Sequence, residues 1–425
     1  MKRVLILGGG FGGLYAALEL DKHIGKRDDV EVTLVNRENF FSFTPMLHEV
    51  AASDLDVTHI VNPVRKMLKH VRFFLGDVES VDLDRRAVTV AHGFERHTHE
   101  LAYDHLILSL GSTSNFFGLP GLEERALTMK SLADASGLRN RLIEHLEEAD
   151  TECAAKACAR GPLLTCVVAG GGFAGVETIA AINDFVRGAI RFYPNLGNES
   201  IRMVLVHSGE TILPELSEKL GRYAARKLAE RGIELRLGAR VTGMSDAGVQ
   251  LSDGSTLATR MLVWTAGTAP HALLSTLPCA SERGRIVVDE HLEVKDHPGV
   301  WAVGDCAVVP DGKTGRACPP TAQHALRQGR VLARNVLAAI DSGKKKPFRF
   351  ATVGQLATIG RRTGVANVLG VNFSGFVAWW LWRTIYLAKL PRAEKKIRVA
   401  LDWTLDLFFS KDLVQLTTAR PSRVP

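Results

Sequence analysis

The sequence predicts an α/β fold: two Rossmann-like units, each built on a parallel sheet, followed by a C-terminal region of amphipathic helix. Three observations carry this. A short apolar run at residues 2–7 leads straight into Gly8-Gly9-Gly10-Phe11-Gly12-Gly13. A second apolar run, 163–169, leads into Gly170-Gly171-Gly172-Phe173-Ala174-Gly175. Residues 376–425 hold four of the six tryptophans and nine Lys/Arg against four Asp/Glu, so most of the formal +7 charge lies there.

Residues 2–7 suit a strand buried on both faces, and residues 14–20 have helical spacing. A second strand at 30–35 ends in Asn36. Strand, glycine turn, helix, strand is the dinucleotide-binding unit. Gly8 allows the tight turn, Gly10 lets backbone approach a pyrophosphate, and Gly13 lets helix and strand pack closely. The helix N-terminus adds free N–H groups and partial positive charge. Asn36 stands where an acid usually takes the ribose hydroxyls; its amide still hydrogen-bonds, without the charge. The aromatic stretch 40–47, with Pro45, suits the wall of a flat ring, with core as the alternative reading. Residues 71–82 and 87–90 read as a small antiparallel insertion. Residues 103–112 read as a strand returning to the first sheet and closing its site at Ser109 and Gly111.

Residues 130–149 read as a charged amphipathic helix and 152–162 as a linker into the second unit. There the strand 202–206 ends in His207, again without the acid; Glu210 follows three residues on. No Arg stands beside His207 to hold a 2′-phosphate, which favours an unphosphorylated ribose. Residues 262–268 close this unit. Two complete fingerprints imply two bound dinucleotides. The strand at 299–303 then runs into Gly304-Asp305, which brings the chain back to the first site, where Asp305 suits a sugar hydroxyl or a water on the pyrophosphate. A helix starts after Pro319-Pro320 with Thr321 as N-cap. Its N-terminus, aimed at a ring, stabilises negative charge there.

At 425 residues the chain has room for two or three domains. The six cysteines show neither metal-ligand spacing nor a disulfide framework, and read as free thiols in a reducing cytosol. With a strand at residue 2, no signal peptide is expected. The stretch 373–390 is strongly apolar, but Arg383 and Lys389 interrupt it, and a spanning helix wants about 20 apolar residues. Lying in the membrane interface fits better, with aromatics sunk and Lys/Arg facing anionic lipid. A buried helix pair or a homodimer interface is the alternative. No nucleic-acid partner is expected.

Residues 8–13, 40–47, 170–177, Gly304-Asp305, 319–328 and the tryptophan-rich tail with Leu401-Asp402-Trp403 together resemble the type II NADH:quinone oxidoreductases, nearly end to end. The glycine motifs belong to the wider FAD/pyridine nucleotide-disulfide oxidoreductase superfamily; residues 319–328 and the tail are more specific. The resemblance implies FAD at Gly8, Gly10, Phe11, Gly12, Gly13, Asn36 and Arg37, with Pro45, Val78, Ser109, Gly111, Asp305, Ala322 and Gln323 completing that site. It implies NADH at Gly170, Gly172, Gly175, Glu177, His207 and Gly267, with His207 leaving the preference between NADH and NADPH open. It places quinone at Gln323, Arg327 and Gln328, and gives catalytic roles to Glu177, linked to proton transfer, and Gln323; no metal is implied. Domains follow as 1–125 and 286–350 for FAD, 126–285 for NADH and 351–425 for membrane docking. The implied enzyme is peripheral, non-pumping and bound to the cytoplasmic side of the cell inner membrane. Arg327 departs from a family Gln, and Asn36 and His207 from acids. The rivals are a sulfide:quinone oxidoreductase, which would use a cysteine pair such as Cys158 and Cys318 and would not need an intact second glycine motif, and a non-catalytic FAD-containing redox sensor.

Overall fold

A computed structural model describes residues 1–151, 157–312 and 315–415. The chain forms two compact units.

The first unit comprises Met1–Ser42, Val61–Thr113 and Thr268–Thr352. Its core is a five-stranded parallel sheet in the order Val300–Ala302, His105–Leu108, Lys2–Leu7, Val30–Asn36, Arg72–Leu75. The strand before the first glycine loop lies at the centre, with Val4 opposite Val32 on one side and His105 on the other. Central strands bury both faces, so Ile6, Leu7 and Leu34 are wholly covered and the sequence runs apolar without alternation. The helices Phe11–Ile24 and Ala322–Ile340 pack closely: a Cβ on Gly329 would fall 2.2 Å from the Gly12 carbonyl oxygen.

Arg72–Leu75 is not part of the antiparallel insertion but the edge strand of the parallel sheet, with Leu34 opposite Phe73. An edge strand is only half covered, so its pattern resembles that of an antiparallel strand. The insertion itself is Asp77–Asp82, Ala87–His92 and His97–Ala102.

The second unit comprises Phe43–Ile60, Ser114–Gly267 and the chain from Val353 onward. Its parallel sheet runs Leu127–Thr128, Met261–Trp264, Thr165–Ala169, Arg202–His207, Ile233–Leu237, again with the glycine-loop strand central. The helix Leu132–Thr151 starts on a reciprocal cap: the Asp134 N–H donates to Ser131 Oγ, and the Lys130 and Ser131 N–H groups donate to the Asp134 carboxylate. Of the expected linker, 152–156 lie outside the described residues and Ala157–Leu164 is helical despite Pro162. Small residues and a proline read as linker because local sequence does not show what packs on them.

The aromatic stretch is divided. Phe40–Ser42 pairs antiparallel with Val61–Pro63 in the first unit, while the residues between them belong to the second. Phe41, Phe43 and Met46 are buried by protein. The short helix Leu47–Ala51 that follows is buried at every residue.

The chain from Val353 adds a three-stranded antiparallel sheet, Gly354–Thr358, Gly364–Val368 and Val371–Gly375, then helices Phe376–Lys389 and Ala393–Leu405. Among the described residues no helix is long and apolar enough to cross a membrane. The last helix has two apolar stripes. Val399 and Trp403 face inward, while Ile397, Leu401 and Leu405, again four apart, are 62%, 56% and 51% exposed.

Candidate active site: two glycine loops and a buried carboxyl

The first loop combines one forced contact with one open flank. Gly8 sits at φ +97°, and a Cβ there would lie 2.4 Å from the Ser109 carbonyl oxygen. A Cβ on Gly13 would lie 1.9 Å from the Gly8 oxygen, whereas one on Gly10 would meet no atom within 4 Å. The second loop repeats the close contact: Gly170 has φ +117°, and a Cβ on Gly175 would lie 1.8 Å from the Gly170 oxygen, while one on Gly172 would face Glu215 Oε1 at 3.6 Å. Both loops are tied by a hydroxyl from the adjacent strand. Ser109 Oγ donates to Leu7 O at 2.7 Å, and Thr265 Oγ1 to Ala169 O at 2.7 Å. Each loop is also gripped from the end of the next strand. Gly9 N–H donates to Asn36 Oδ1 at 2.8 Å, and Gly171 N–H to His207 Nδ1 at 3.2 Å. The open side at Gly10 and the N–H groups of the following helix make the first loop fit a pyrophosphate.

Glu177 lies in the helix Phe173–Ala189 that follows the second loop. Its Oε1 accepts Thr358 N–H at 3.1 Å and Trp382 Nε1–H at 3.0 Å. Oε2 lies 3.9 Å from His48 Nδ1, too far for a hydrogen bond. Burial pushes the carboxyl up to about 8, only partly offset by the two donors, and burial pushes His48 down to about 3. At neutral pH the pair is therefore a protonated acid beside a neutral imidazole, not a salt bridge. With Oε1 occupied by two donors, the proton belongs on Oε2. Alongside, Glu49 Oε2 accepts Trp403 Nε1–H at 3.0 Å, and burial pushes Glu49 up to about 8 as well. The two C-terminal helices thus each deliver an indole N–H to a buried glutamate. Arg383 stacks between Trp379 and Trp403, at 4.3 and 4.5 Å.

Residues 2–329 match the family model of pyridine nucleotide-disulphide oxidoreductases, and residues 353–412 match the NDH2 C-terminal domain. The chain is 33% identical over 434 residues to the type II NADH:quinone oxidoreductase Ndh of Mycobacterium tuberculosis, covering 98% of this chain and 90% of that one. It belongs to the type II NADH:quinone oxidoreductases. A second relative in that organism, the type II NADH:quinone oxidoreductase NdhA, is 32% identical, with 94% of this chain and 86% of that one covered. Among solved structures, NDH2 from Plasmodium falciparum in complex with NADH superposes with a TM-score of 0.88 over 97% of this chain and 99% of that one; at 19% identity this speaks for the fold.

In this type II chain the remaining residues singled out from sequence fall as follows. Asp305 Oδ2 accepts from Ser112 Oγ at 2.9 Å, beside Gly304 at φ +75°. Gln328 is 2% exposed, and its Oε1 accepts Gly304 N–H at 2.9 Å, so it braces that turn. Thr321 occupies the N-cap position, but its hydroxyl meets His324 Nδ1 at 2.7 Å and does not cap a backbone N–H. Ala322 and Gln323 open that helix. Arg327 is held to it, donating to the Gln323 carbonyl at 2.8 Å and lying over the Phe350 ring at 4.0 Å. Arg37 is exposed and Val78 half-buried in the first unit; Gly111 has φ +69°. Pro45 falls in the second unit. Gly267 O accepts Asn115 N–H at 3.1 Å, and a Cβ there would meet the Asn115 oxygen at 2.6 Å. Cys318 is buried in the first unit; Cys153 lies outside the described residues, as does the Cys158 side chain.

Sequence reasoning missed His48, Glu49, Thr358, Trp382 and Trp403 as partners of the site. The available signal was His48-Glu49 inside the otherwise apolar run 46–52, since polar residues in a buried run need partners.

Proposed function

We propose that this protein oxidises NADH and passes two electrons to a membrane quinone without pumping protons, as a peripheral flavoenzyme. The observation that carries the reading is a second glycine loop as complete as the first, in a chain of this family. FAD, when bound, supplies a reversible two-electron acceptor between nicotinamide and quinone. Gly8, Gly10 and Gly13 would hold its pyrophosphate, Asn36 its ribose, and Asp305 its sugar chain. Gly170, Gly172 and Gly175 cradle the NADH pyrophosphate, with His207 at the ribose. The helix opening at Ala322-Gln323 brings a positive N-terminal dipole end, which stabilises negative charge placed before it. Quinone is taken at Gln323 and Arg327. Glu177 keeps a proton on Oε2 at neutral pH and releases it near pH 8, which suits a proton donor to a reduced quinone.

The outward stripe of Ile397, Leu401 and Leu405, with Phe408 and Phe409 also exposed, supports interfacial docking. The basic residues beside it suit an anionic leaflet, and so the cytoplasmic face of the inner membrane. The test is a steady-state assay of the purified FAD-loaded protein with NADH or sulfide against a short-chain quinone. NADH-dependent reduction is the expected result. Reduction with sulfide but not NADH would overturn the reading in favour of a sulfide:quinone oxidoreductase. A flavin that NADH does not bleach under argon would favour a non-catalytic sensor.

A further inference from the structure

His207 closes the Arg202–His207 strand, where dinucleotide sites commonly carry Asp or Glu for the ribose hydroxyls. The backbone N–H of Gly171 donates to its Nδ1 at 3.2 Å. An amide N–H only donates, so Nδ1 is the bare nitrogen and the ring proton sits on Nε2. The loop also fixes the ring, for a Cβ on Gly171 would fall 2.6 Å from His207 Cγ. Nε2–H is then directed away from Gly171. The first loop has the same grip with different chemistry. Asn36 accepts from Gly9 through Oδ1, and its Nδ2 donates to Glu38 O at 2.8 Å.

We propose that His207, held as its Nε2–H tautomer, lets the second site take 2′-phosphorylated as well as unphosphorylated nicotinamide dinucleotide. This rests on the reading of that loop as the NADH site. A carboxylate selects the free ribose in two ways: it accepts from the hydroxyls, and it repels a phosphate. A neutral donor does neither. A hydroxyl oxygen and a phosphate oxygen both accept from Nε2–H, the phosphate more strongly because it is charged. Glu215 Oε1 lies 3.6 Å from where a Cβ on Gly172 would sit, and Glu210 Oε1 lies 3.9 Å from where one on Gly238, just past the neighbouring strand, would sit. Carboxylates beside the loop oppose a further negative charge, so the 2′-phosphate is tolerated and not selected, and NADH remains the better substrate.

The FAD-loaded full-length enzyme decides it by two measurements: calorimetric binding of ADP-ribose and of its 2′-phosphate, and kcat/KM with NADH and NADPH. The parent is expected to discriminate by no more than about tenfold in either. H207E is expected to weaken the 2′-phosphate ligand and NADPH by at least about a further tenfold and to lower the KM for NADH. H207Q offers an oxygen to Gly171 and an N–H to the ligand, and is expected to keep the parent ratio even should H207E fail to fold. A parent that rejects the 2′-phosphate by more than about a hundredfold, an H207Q enzyme that loses the parent ratio, or an H207E enzyme that keeps it, overturns the proposal. Should NADH fail to reduce the flavin, the reading of the reaction falls, and the two ribose ligands still test His207.

Discussion

At Glu177 two N–H donors stabilise the anion, yet burial outweighs them and holds the carboxyl near 8. Two expectations follow for activity. Quinone reduction should fall as pH rises through about 8, and E177Q should both lower the rate, by about tenfold or more, and abolish that alkaline limb in a pH–rate profile. W382F removes a donor to the charged form, so the limb should move to higher pH. Stability carries a separate signature. Glu49 and Glu177 go from 4.5 unfolded to about 8 folded. Between those values the folded chain holds protons that the unfolded chain has released, so stability is lost as pH rises. His48 goes from 6.5 to about 3 and His145 from 6.5 to about 4, which costs stability as pH falls below 6.5. From 6.5 to 8 these carboxyls therefore dominate the four. Urea unfolding of the holoprotein should show declining stability across that interval, and E49Q with E177Q should flatten it.

Among the elements, the glycine loops separate two duties of one residue type. Gly13 and Gly175 are pressed against carbonyl oxygens, so an added methyl forces backbone apart; Gly10 faces open space. G13A and G175A should each lower stability by about 1–3 kcal/mol, whereas G10A should melt where the flavin-stripped parent does and lose flavin. Flavin content and thermal melts of the three variants check this, and a destabilised G10A with full flavin would contradict it. The two C-terminal helices hold their place through Trp382 and Trp403, whose buried rings supply area and whose indole N–H groups find buried carboxyl groups. That pairing explains how strongly apolar helices dock in one register: a shift of one residue would strand both N–H donors.

For the whole molecule, the chain from Val353 onward joins the unit that carries the second glycine loop, and so does the excursion Phe43–Ile60. The element proposed to meet lipid is therefore continuous with the packing around Glu177. Replacing Ile397, Leu401 and Leu405 together with Gln should abolish co-flotation with vesicles containing anionic lipid, since each exposed apolar side chain adds about 1.5–3 kcal/mol when buried. Flotation equal to the parent's would exclude this stripe as the docking face. If the stripe instead pairs two copies, the variant shifts the oligomer on sizing and flotation stays.

The local sequence determined the two loops, because a strand feeding a glycine turn and a helix is a short-range pattern whose geometry needs nothing distant. It also determined that the tail is apolar and basic without being long enough to span. Only the tertiary structure decided the rest. Arg72–Leu75 joined the parallel sheet because Val30–Asn36 offered its edge, a choice invisible in the strand's own residues. His48 found Thr358 and the Trp382 ring, and Glu49 found Trp403, some three hundred residues away. Burial, which sets the carboxyls near 8, comes from what packs around a side chain. His207 was visible as a missing acid; that its Nδ1 is already taken came from the fold that laid Gly171 against it.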